Sequence, residues 1–395
     1  MYRTLDDLNV KGKRVLVRLD LNVPMKDGKV TDATRIERQA GTLRELAAGG
    51  ARVIVLSHFD RPKGQVVPEM SLRPVLKPLS EAVSQPVTFA ADCIGEVAES
   101  AVAAMRGNNI LLLENTRFHK GEETNDRVFA AELANLGDIF VNDAFSVAHR
   151  AHASTEGITH FIPSAAGRSM ETELSHLAKA LEHPKRPVMA IVGGAKISTK
   201  IMLLENLLSK VQVLVIVGAM ANTFLSAKGH PIGKSLIEAD QRQTAAKIVS
   251  RAEKMGVAII LPVDVVAAKE FKAGAEHRTA DIVDVADEEM ILDIGPKTIE
   301  LFATRLQNVA TIVWNGPFGA FEMTPFDTAT TAAAKMVAEQ TTGGKLLSVA
   351  GGGDTVAALA NARVLDRFTY VSTAGGAFLE WLEGRVLPGV AALEN

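Results

Sequence analysis

Short runs of apolar residues recur along the chain, and most end in Gly, Asn, Asp, His or Arg before a segment with helical spacing begins. Because these runs lack polar alternation, they predict strands that are covered on both faces, as in a parallel sheet flanked by helices. In residues 31–48, Ile36, Ala40, Leu43 and Ala47 follow each other at helical steps. The predicted strands are residues 14–18, 53–56, 110–113, 139–141, 188–192, 213–217, 257–261, 311–314, 346–349 and 369–371.

The number of strands indicates two domains. Ten strands exceed what one open sheet usually carries, and a length of 395 residues corresponds to more than one domain. A break is expected near residue 168, where an amphipathic helix begins that has acidic residues in its first turn. The pattern therefore predicts an α/β protein with two doubly wound parallel-sheet (Rossmann-like) domains, residues 1–168 and 169–381, joined by a hinge helix.

Composition excludes several classes of protein. Apolar residues make up 47% of the chain, and 43 Lys and Arg against 46 Asp and Glu give a net charge of −3. Such a chain is globular and lacks the field of a nucleic-acid or anionic-membrane binder. The single cysteine, Cys93, excludes an intramolecular disulfide and fits a reducing, cytoplasmic location. The uncharged segment 211–227 contains Gln212 and Asn222, so it predicts a buried strand and helix instead of a membrane span.

Polar residues follow the strands of the first half of the chain. Ligands of open parallel sheets bind at the carboxyl ends of the strands, so these residues are candidates for a binding site. Any one arginine among them is more simply explained as a solvated or ion-paired surface residue. Their recurrence at successive strand ends instead favours a site for a small, multiply charged anion. The candidates are Arg18, Asp20, Asn22, His58, Arg61, Asn115, Arg117, Asn142, Asp143, Arg150 and His152.

Glycines follow the strands of the second half, at Gly193-Gly194, Gly218, Gly316, residues 351–353 and Gly375-Gly376. Backbone amides at such turns favour phosphate, and an adjacent carboxylate can hold Mg²⁺. No Walker A loop and no Gly-x-Gly-x-x-Gly fingerprint is found, since residues 229–235 have one residue too few between their glycines. The two halves together predict a kinase that acts on a phosphorylated small acid.

The motifs resemble the phosphoglycerate kinase family over essentially the full length and in the same order. They are Arg18-Leu-Asp-Leu-Asn-Val-Pro24, Ser57-His-Phe-Asp-Arg-Pro62, Glu114-Asn-Thr-Arg-Phe118, Asn142-Asp-Ala-Phe145, Ala148-His-Arg-Ala-His152, Gly193-Gly-Ala-Lys-Ile-Ser-Thr-Lys200, Trp314-Asn-Gly-Pro-Phe-Gly-Ala-Phe-Glu322 and Gly351-Gly-Gly-Asp-Thr355. The chain departs from the family's pattern in three places: Phe59-Asp60 stands where Leu-Gly is frequent, and Ala219 and Ala374 each occupy a common glycine position. Asp60 adds a negative charge beside Arg61, which makes that arginine the least secure substrate contact.

The resemblance implies reversible phosphoryl transfer between 1,3-bisphosphoglycerate and ADP, giving 3-phosphoglycerate and ATP in glycolysis with Mg²⁺ as cofactor. The glycerate substrate would be bound by Asp20, Asn22, Arg35, His58, Arg61, Arg117 and Arg150. The nucleotide would be bound by Lys196, Lys200, Asn315, Glu322, Gly352, Gly353, Asp354 and Thr355, with Glu322 on the ribose and Asp354 on the metal. Residues 382–395 would complete the first, substrate-binding domain, and residues 169–381 would bind the nucleotide. We expect a monomer whose only partners are these small molecules.

The expected chemistry needs charge compensation more than proton transfer. The acceptor carboxylate is already ionised at neutral pH, so no general base is required. Arg35 and Lys200 are the predicted catalytic residues, because they would meet the oxygens of the transferring group. His58 is expected to donate a hydrogen bond to the substrate, although a packed structural histidine is the alternative. A hinge closure is expected, with the helix after residue 168 and residues 372–376 as candidate hinges.

Two other classes of function stay open at this point. A dinucleotide-dependent dehydrogenase would share the wound sheet but would need the missing glycine fingerprint. A nucleotide-binding protein without catalytic activity would use the arginines of the first half only structurally.

Overall fold

The chain divides into two compact units in a computed structural model that describes residues 2–394. The first unit comprises residues 2–174 and 386–394, and the second comprises residues 175–385. The sequence placed these boundaries at 168 and 381.

A six-stranded parallel sheet forms the centre of the first unit, in the order β5-β6-β4-β1-β7-β8. The carboxyl ends of all its strands therefore lie along one edge. The strands of this unit, including a small hairpin β2–β3, are β1 (Arg14–Arg18), β2 (Met25–Lys26), β3 (Lys29–Val30), β4 (Arg52–Leu56), β5 (Val87–Phe89), β6 (Ile110–Leu112), β7 (Ile139–Asn142) and β8 (Ser164–Ala166). Its helices are α1 (Thr34–Ala48), α2 (Leu76–Val83), α3 (Gly95–Ala103), α4 (Lys120–Glu123), α5 (Arg127–Ala134) and α6 (Arg168–Leu177).

The second unit has its own six-stranded parallel sheet, in the order β11-β10-β9-β15-β16-β17, and a three-stranded antiparallel sheet, β13-β12-β14. Its strands are β9 (Val188–Val192), β10 (Val213–Ile216), β11 (Ala258–Ile260), β12 (Asp264–Ala268), β13 (His277–Asp281), β14 (Met290–Ile294), β15 (Thr311–Asn315), β16 (Leu347–Gly351) and β17 (Tyr370–Ser372). Its helices are α7 (Ile201–Leu208), α8 (Ala219–Ala227), α9 (Arg242–Lys254), α10 (Pro296–Leu306), α11 (Thr328–Thr342), α12 (Gly353–Asn361) and α13 (Gly375–Leu382), and a last helix, α14 (Pro388–Ala391), belongs to the first unit.

The interior of the first unit shows why the strands read as unbroken apolar runs. Val15 and Val17 of β1 pack into one apolar cluster with α1 and α2, whereas Leu16 between them packs into a second cluster with α3 and α5. Since both faces of the sheet are covered, all three central positions of the strand are apolar. The predicted α/β fold with two parallel sheets is confirmed, and all ten predicted strands are present.

Helix α6 contains the boundary between the units and is capped from the first sheet. Asp143, directly after β7, accepts a hydrogen bond from the backbone N–H of Met170 through Oδ1 at 2.9 Å. Arg168, the first residue of the helix, pairs with Asp6, Glu45 and Glu171. The helix continues as a π turn at Ala178–Glu182. Among residues 2–394, no helix is both long enough and apolar enough to cross a membrane.

Candidate functional site

The strand register gathers the predicted substrate residues at one edge of the first sheet. Arg18, the last residue of β1, pairs with Leu56 of β4 on one side and with Asn142 of β7 on the other. The segments that carry Asp20 and His58 therefore leave the sheet side by side.

Asp20 and Arg35 form one corner of this edge. Asp20 is buried, and its Oδ2 accepts hydrogen bonds from Arg35 Nη1 at 3.0 Å and from Ser146 Oγ at 2.5 Å. The same Arg35 nitrogen donates to the carbonyl of Asn22 at 2.7 Å, and Asn22 Oδ1 accepts from the backbone N–H of Asp60 at 3.1 Å. Arg35 is thus oriented through one nitrogen, which leaves the rest of its guanidinium fork for a ligand.

Arg117 has donors that the protein leaves unused. The side chain is buried, and Nη1 donates to the carbonyl of Asp60 at 2.7 Å. Its Nε lies 3.4 Å from Glu123 Oε1 without hydrogen-bond geometry, and both Nε and Nη2 are buried without a hydrogen-bond partner. Because unpaired buried donors are costly, they indicate a place where a ligand completes the arrangement.

His58 lies neutral beside these arginines. Its Nδ1 is 3.1 Å from Arg18 Nη2, and since a guanidinium can only donate, Nδ1 must accept and Nε2 must carry the proton. Burial first, and then the charges of Arg18, Arg117 and Arg150, hold the pKa of His58 well below its usual value. His58 is therefore built to donate a hydrogen bond from Nε2.

Several cations lie close together in this region. Burial lowers the pKa of the Arg117 guanidinium, and the charges of Arg150 and Arg61 add to the effect although Glu123 opposes it. Burial first, and then the charges of Arg117, Arg18 and Arg150, lower the pKa of His152 to about 3. Neighbouring positive charges that depress each other's proton affinity form a site for a multiply charged anion.

The two remaining predicted substrate residues lie nearer to solvent. Arg150 is half-buried with Nε 3.3 Å from His149 Nε2, and Arg61 is exposed. The main chain of Asp60 adopts a left-handed conformation, with φ at 51°, and its carbonyl and N–H are the groups that bind Arg117 and Asn22. Among the described residues, no ion pair joins Asp60 to Arg61.

A cavity of about 470 Å³ opens in the second unit beside the glycine-bearing strand ends. This size is within the usual range for sites of small molecules and cofactors. Gly194, Gly218 and Pro317 line one side, and Glu322 and Asp354 add carboxylates to its wall. The apolar part of the wall is formed by Leu236, Phe271, Met290, Leu292, Phe318 and Phe321.

Two turns beside this cavity need glycine because their backbones touch. A Cβ on Gly193 would lie 2.1 Å from the carbonyl oxygen of Pro317, and one on Gly316 would lie 2.3 Å from that of Gly193. Gly316 also has φ at +103°, which L side chains rarely adopt. The close approach leaves no room for side chains at these two turns, which follow β9 and β15.

Helix α12 begins at the predicted phosphate-binding turn. Gly352, with φ at +100°, precedes the helix, Gly353 opens it and Asp354 is exposed in its first turn. The positive end of the helix dipole and the free N–H groups of its first turn favour phosphate. Thr355 is buried, and its Oγ1 accepts a hydrogen bond from the backbone N–H of Gly316 at 2.7 Å. Thr355 thus supports the turn.

Lys200 is held between two strand ends. Its Nζ donates to the carbonyl of Gly193 at 2.6 Å and to Asn315 Oδ1 at 2.5 Å, and Asn315 Nδ2 donates to the carbonyl of Gly351 at 2.8 Å. Burial lowers the pKa of this amine to about 8, while the charge of Asp354 opposes the shift. Lys200 is therefore cationic at neutral pH and is oriented by Asn315.

The first turn of α12 offers one carboxylate, Asp354, as a ligand for a metal ion. Among the described residues, the only group of three or more His, Cys, Asp or Glu ligands lies elsewhere, at Asp92, Cys93 and His119. Mg²⁺ commonly binds through one or two carboxylates together with substrate phosphates, so the site fits a magnesium ion brought with a nucleotide. Lys196 and Glu322 are exposed, and Glu322 lines the cavity.

Sequence reasoning missed the apolar wall of the cavity and the buried support of the anion site. Leu236 and Phe271 lie in loops, and Met290 and Leu292 lie in β14, so none follows a strand of the parallel sheet. Arg18 was grouped with possible ligands, but it is completely buried and donates to Ser154 Oγ at 2.8 Å and to the Leu19 carbonyl. A signal for this role was its place as the last residue of β1, directly after the apolar residues of a buried strand.

Comparison with known proteins identifies the family. The family model for phosphoglycerate kinase matches residues 5–385. The chain is 60% identical over 392 residues to the phosphoglycerate kinase of Rhodospirillum centenum, covering 99% of both chains, and 60% identical over 395 residues to that of Rhizobium meliloti, covering 100% of this chain and 99% of the relative. The solved phosphoglycerate kinase of Coxiella burnetii superposes with a TM-score of 0.94 at 43% identity, over 100% of this chain and 99% of the other. The corresponding structure from Pyrococcus horikoshii gives 0.82 at 30% identity, over 100% and 98%. The chain therefore belongs to the phosphoglycerate kinase family.

Proposed function

We propose that this protein transfers a phosphoryl group reversibly between 1,3-bisphosphoglycerate and ADP, giving 3-phosphoglycerate and ATP, as the kinase activity of its family implies. The observation that carries the proposal is the division of chemistry between the units. One has a cluster of arginines in which Arg117 keeps two unpaired donors, and the other has a glycine-lined cavity at a helix N-terminus. The first suits a small polyanion and the second suits a nucleotide.

We assign the acid substrate to the first unit. Arg117 would give Nε and Nη2 to it, and His58 would donate from Nε2. Arg61 and Arg150 would add charge at the more exposed side. Asp20 and Asn22 would act mainly by orienting Arg35, since they accept its hydrogen bonds.

We assign the nucleotide to the second unit. Its base and ribose would occupy the cavity, with Glu322 near the ribose, and its phosphates would approach Gly352, Gly353 and Lys196. Asp354 would hold Mg²⁺ together with those phosphates, and the ion would neutralise charge on them. Asn315 and Thr355 would position Lys200 and the turn, as their hydrogen bonds indicate.

The residues of the chain supply charge and orientation to the transfer itself. The acceptor carboxylate is already ionised, so no base has to remove a proton from it. Arg35 and Lys200 would neutralise the negative charge on the transferring group. Stabilising this charge in the transition state is the main way in which proteins accelerate phosphoryl transfer. Because acid and nucleotide are assigned to different units, the reaction requires a closing movement that also excludes water, with α6 and residues 372–376 as hinges.

A coupled assay with 3-phosphoglycerate and MgATP tests the proposal. We expect turnover that depends on both substrates and on Mg²⁺. If the protein gave no turnover but bound NADH, the dehydrogenase alternative would replace the proposal. Nucleotide binding without turnover at any concentration of the acid would leave only a binding protein.

The cellular location and the oligomeric state are proposed from less specific features. The only cysteine, Cys93, is buried and forms no disulfide, which fits the reducing cytoplasm where glycolysis would occur. We propose that the protein works there as a monomer, because each assigned ligand set is complete within one chain.

A further inference from the structure

A group of three different metal-ligating side chains lies outside both assigned ligand sites. Asp92 and Cys93 lie in the turn that follows β5, and His119 lies just before α4. One ligand atom from each residue lies within 4.8 Å of the other two, and His119 Nε2 is 2.7 Å from Asp92 Oδ1. We call these three residues the Asp92 cluster. The phosphoryl-transfer chemistry described above uses none of them.

The ligand set of the Asp92 cluster suits zinc. Thiolate, imidazole and carboxylate are the protein ligands of Zn²⁺, and at bond lengths of about 2.0–2.3 Å their atoms lie roughly 3.4–3.6 Å apart around a tetrahedral ion. The contact between His119 and Asp92 would open by less than an ångström, and the more distant pairs would close by at most about 1.3 Å. Side-chain rotations can supply such movements.

Neighbouring groups already orient two of the ligands. The His119 ring stacks on Phe129, with centroids 5.2 Å apart and planes 27° apart. The backbone N–H of Cys93 donates to Asp92 Oδ1 at 2.7 Å, which fixes the carboxylate against the turn. Supporting contacts of this kind orient ligands in metal sites.

The surroundings of Cys93 favour a cation. The side chain is completely buried, and the carboxylates of Asp92, Glu122 and Glu114 give its surroundings a negative charge. A divalent ion bound there would displace the thiol proton to solvent as the metal–sulfur bond forms, so that one proton is released for each thiolate bond.

The cluster also has a route to solvent. The side chains of Asp92 and His119 are 40% and 29% exposed, whereas Cys93 is closed off. An ion can therefore enter past the carboxylate and imidazole and keep a water molecule as its fourth ligand.

We propose that Asp92, Cys93 and His119 form a binding site for a thiolate-preferring divalent cation such as Zn²⁺, with solvent completing the coordination. The simpler explanation is a hydrogen-bonded His–Asp pair beside an inert buried cysteine. The chain also contains a histidine–carboxylate pair without a cysteine, in which His160 Nε2 lies 2.6 Å from Glu156 Oε1. This second pair provides the control.

Cobalt titration of the metal-free full-length protein tests the site, because Co²⁺ occupies zinc sites and is coloured. We expect one equivalent to produce a thiolate-to-cobalt charge-transfer band together with the visible bands of four-coordinate cobalt. One equivalent of Zn²⁺ should abolish both, whereas excess Mg²⁺ should not, because Mg²⁺ prefers six oxygen ligands.

Variants assign the signal to residues. Cys93→Ala should abolish the charge-transfer band, and His119→Ala should weaken cobalt binding by at least about 100-fold, since even loss of a supporting contact costs 10–100-fold. His160→Ala should leave the spectrum unchanged. Circular dichroism would verify the fold of each variant.

Three results would overturn the proposal. The first is that the wild-type protein shows no charge-transfer band with one equivalent of Co²⁺. The second is that Co²⁺ binds only at millimolar concentration, and the third is that a folded Cys93→Ala variant binds Co²⁺ with undiminished affinity. The wild-type spectrum decides the matter even if a variant fails to fold.

Discussion

Lys200→Met separates the catalytic role of the lysine from its effect on stability. Methionine has a similar length but no charge, so the variant loses the donors to Gly193 and Asn315 and avoids the cost of burying an ammonium group. Removal of one preorganised donor to a developing charge lowers kcat by about 10²–10³. We expect at least this loss with the fold intact.

The stability change has a sign that depends on pH. Burial lowers the pKa of Lys200 from 10.5 to about 8. Between these values the unfolded chain holds a proton that the folded chain lacks, so the free energy of unfolding of the wild type rises with pH. From pH 7 to pH 9.5 the wild type should gain about 2 kcal/mol relative to Lys200→Met, at about 1.4 kcal/mol for each tenfold change in proton affinity.

Urea unfolding at pH 7 and pH 9.5 measures this difference directly. Lys254→Met, which removes an exposed lysine of the same unit, serves as the control and should show no such change. If the difference between wild type and Lys200→Met were equal at both pH values, the lysine would not be buried as described. Wild-type turnover should also fall as the pH rises through about 8, because the cationic form is lost.

Three further changes test separate parts of the site. Arg35→Ala should lower kcat by about 10³–10⁵ while the Tm changes little, and near-normal turnover would remove the arginine from the transferring group. Gly352→Ala should weaken nucleotide binding and cost about 1–3 kcal/mol of stability, because φ is +100° at this position and the new Cβ would lie 2.6 Å from Asn315 Nδ2. An unchanged affinity for MgADP, measured by calorimetry, would contradict this prediction. Asp143→Asn should remove a pH dependence of stability. Burial raises the pKa of Asp143 from 3.8 to about 6, so between these values the folded wild type holds a proton that the unfolded chain lacks. The free energy of unfolding of the wild type should therefore fall by about 2 kcal/mol from pH 4.5 to pH 7. Urea unfolding at these two pH values checks it, and an equal loss in the variant would refute the assignment.

The parallel sheets could be predicted because burial on both faces leaves an unmistakable apolar run. Strands β5 and β8 were missed because neither is an unbroken run of large apolar residues: the exposed Thr88 interrupts β5, and β8 consists of the small residues Ser164, Ala165 and Ala166. The antiparallel sheet was missed for another reason: three successive residues of β13, from His277 to Thr279, are exposed, so its sequence resembles a loop.

The site could be predicted as far as it follows strand ends. That logic found Gly193 and Asn315, the two strand-end residues to which Lys200 donates its hydrogen bonds, whereas Lys200 itself was predicted only from the family resemblance. It could not assign support roles, because only contacts show that Arg18 fixes the tautomer of His58 or that Thr355 holds the turn at Gly316. Nor could it find the apolar wall, since Phe271 carries no motif.

The central claim is that the acid binds to one unit and the nucleotide to the other. Calorimetric titration of wild type, Arg117→Met and Asp354→Asn with 3-phosphoglycerate and, separately, with MgADP tests it most directly. Arg117→Met should weaken binding of the acid by about 10- to 100-fold, since hydrogen bonds to charged groups are worth about 1.5–3 kcal/mol, and should leave MgADP binding unchanged. Asp354→Asn should do the reverse. Equal weakening of both ligands in either variant, or loss of acid binding in Asp354→Asn alone, would contradict the account.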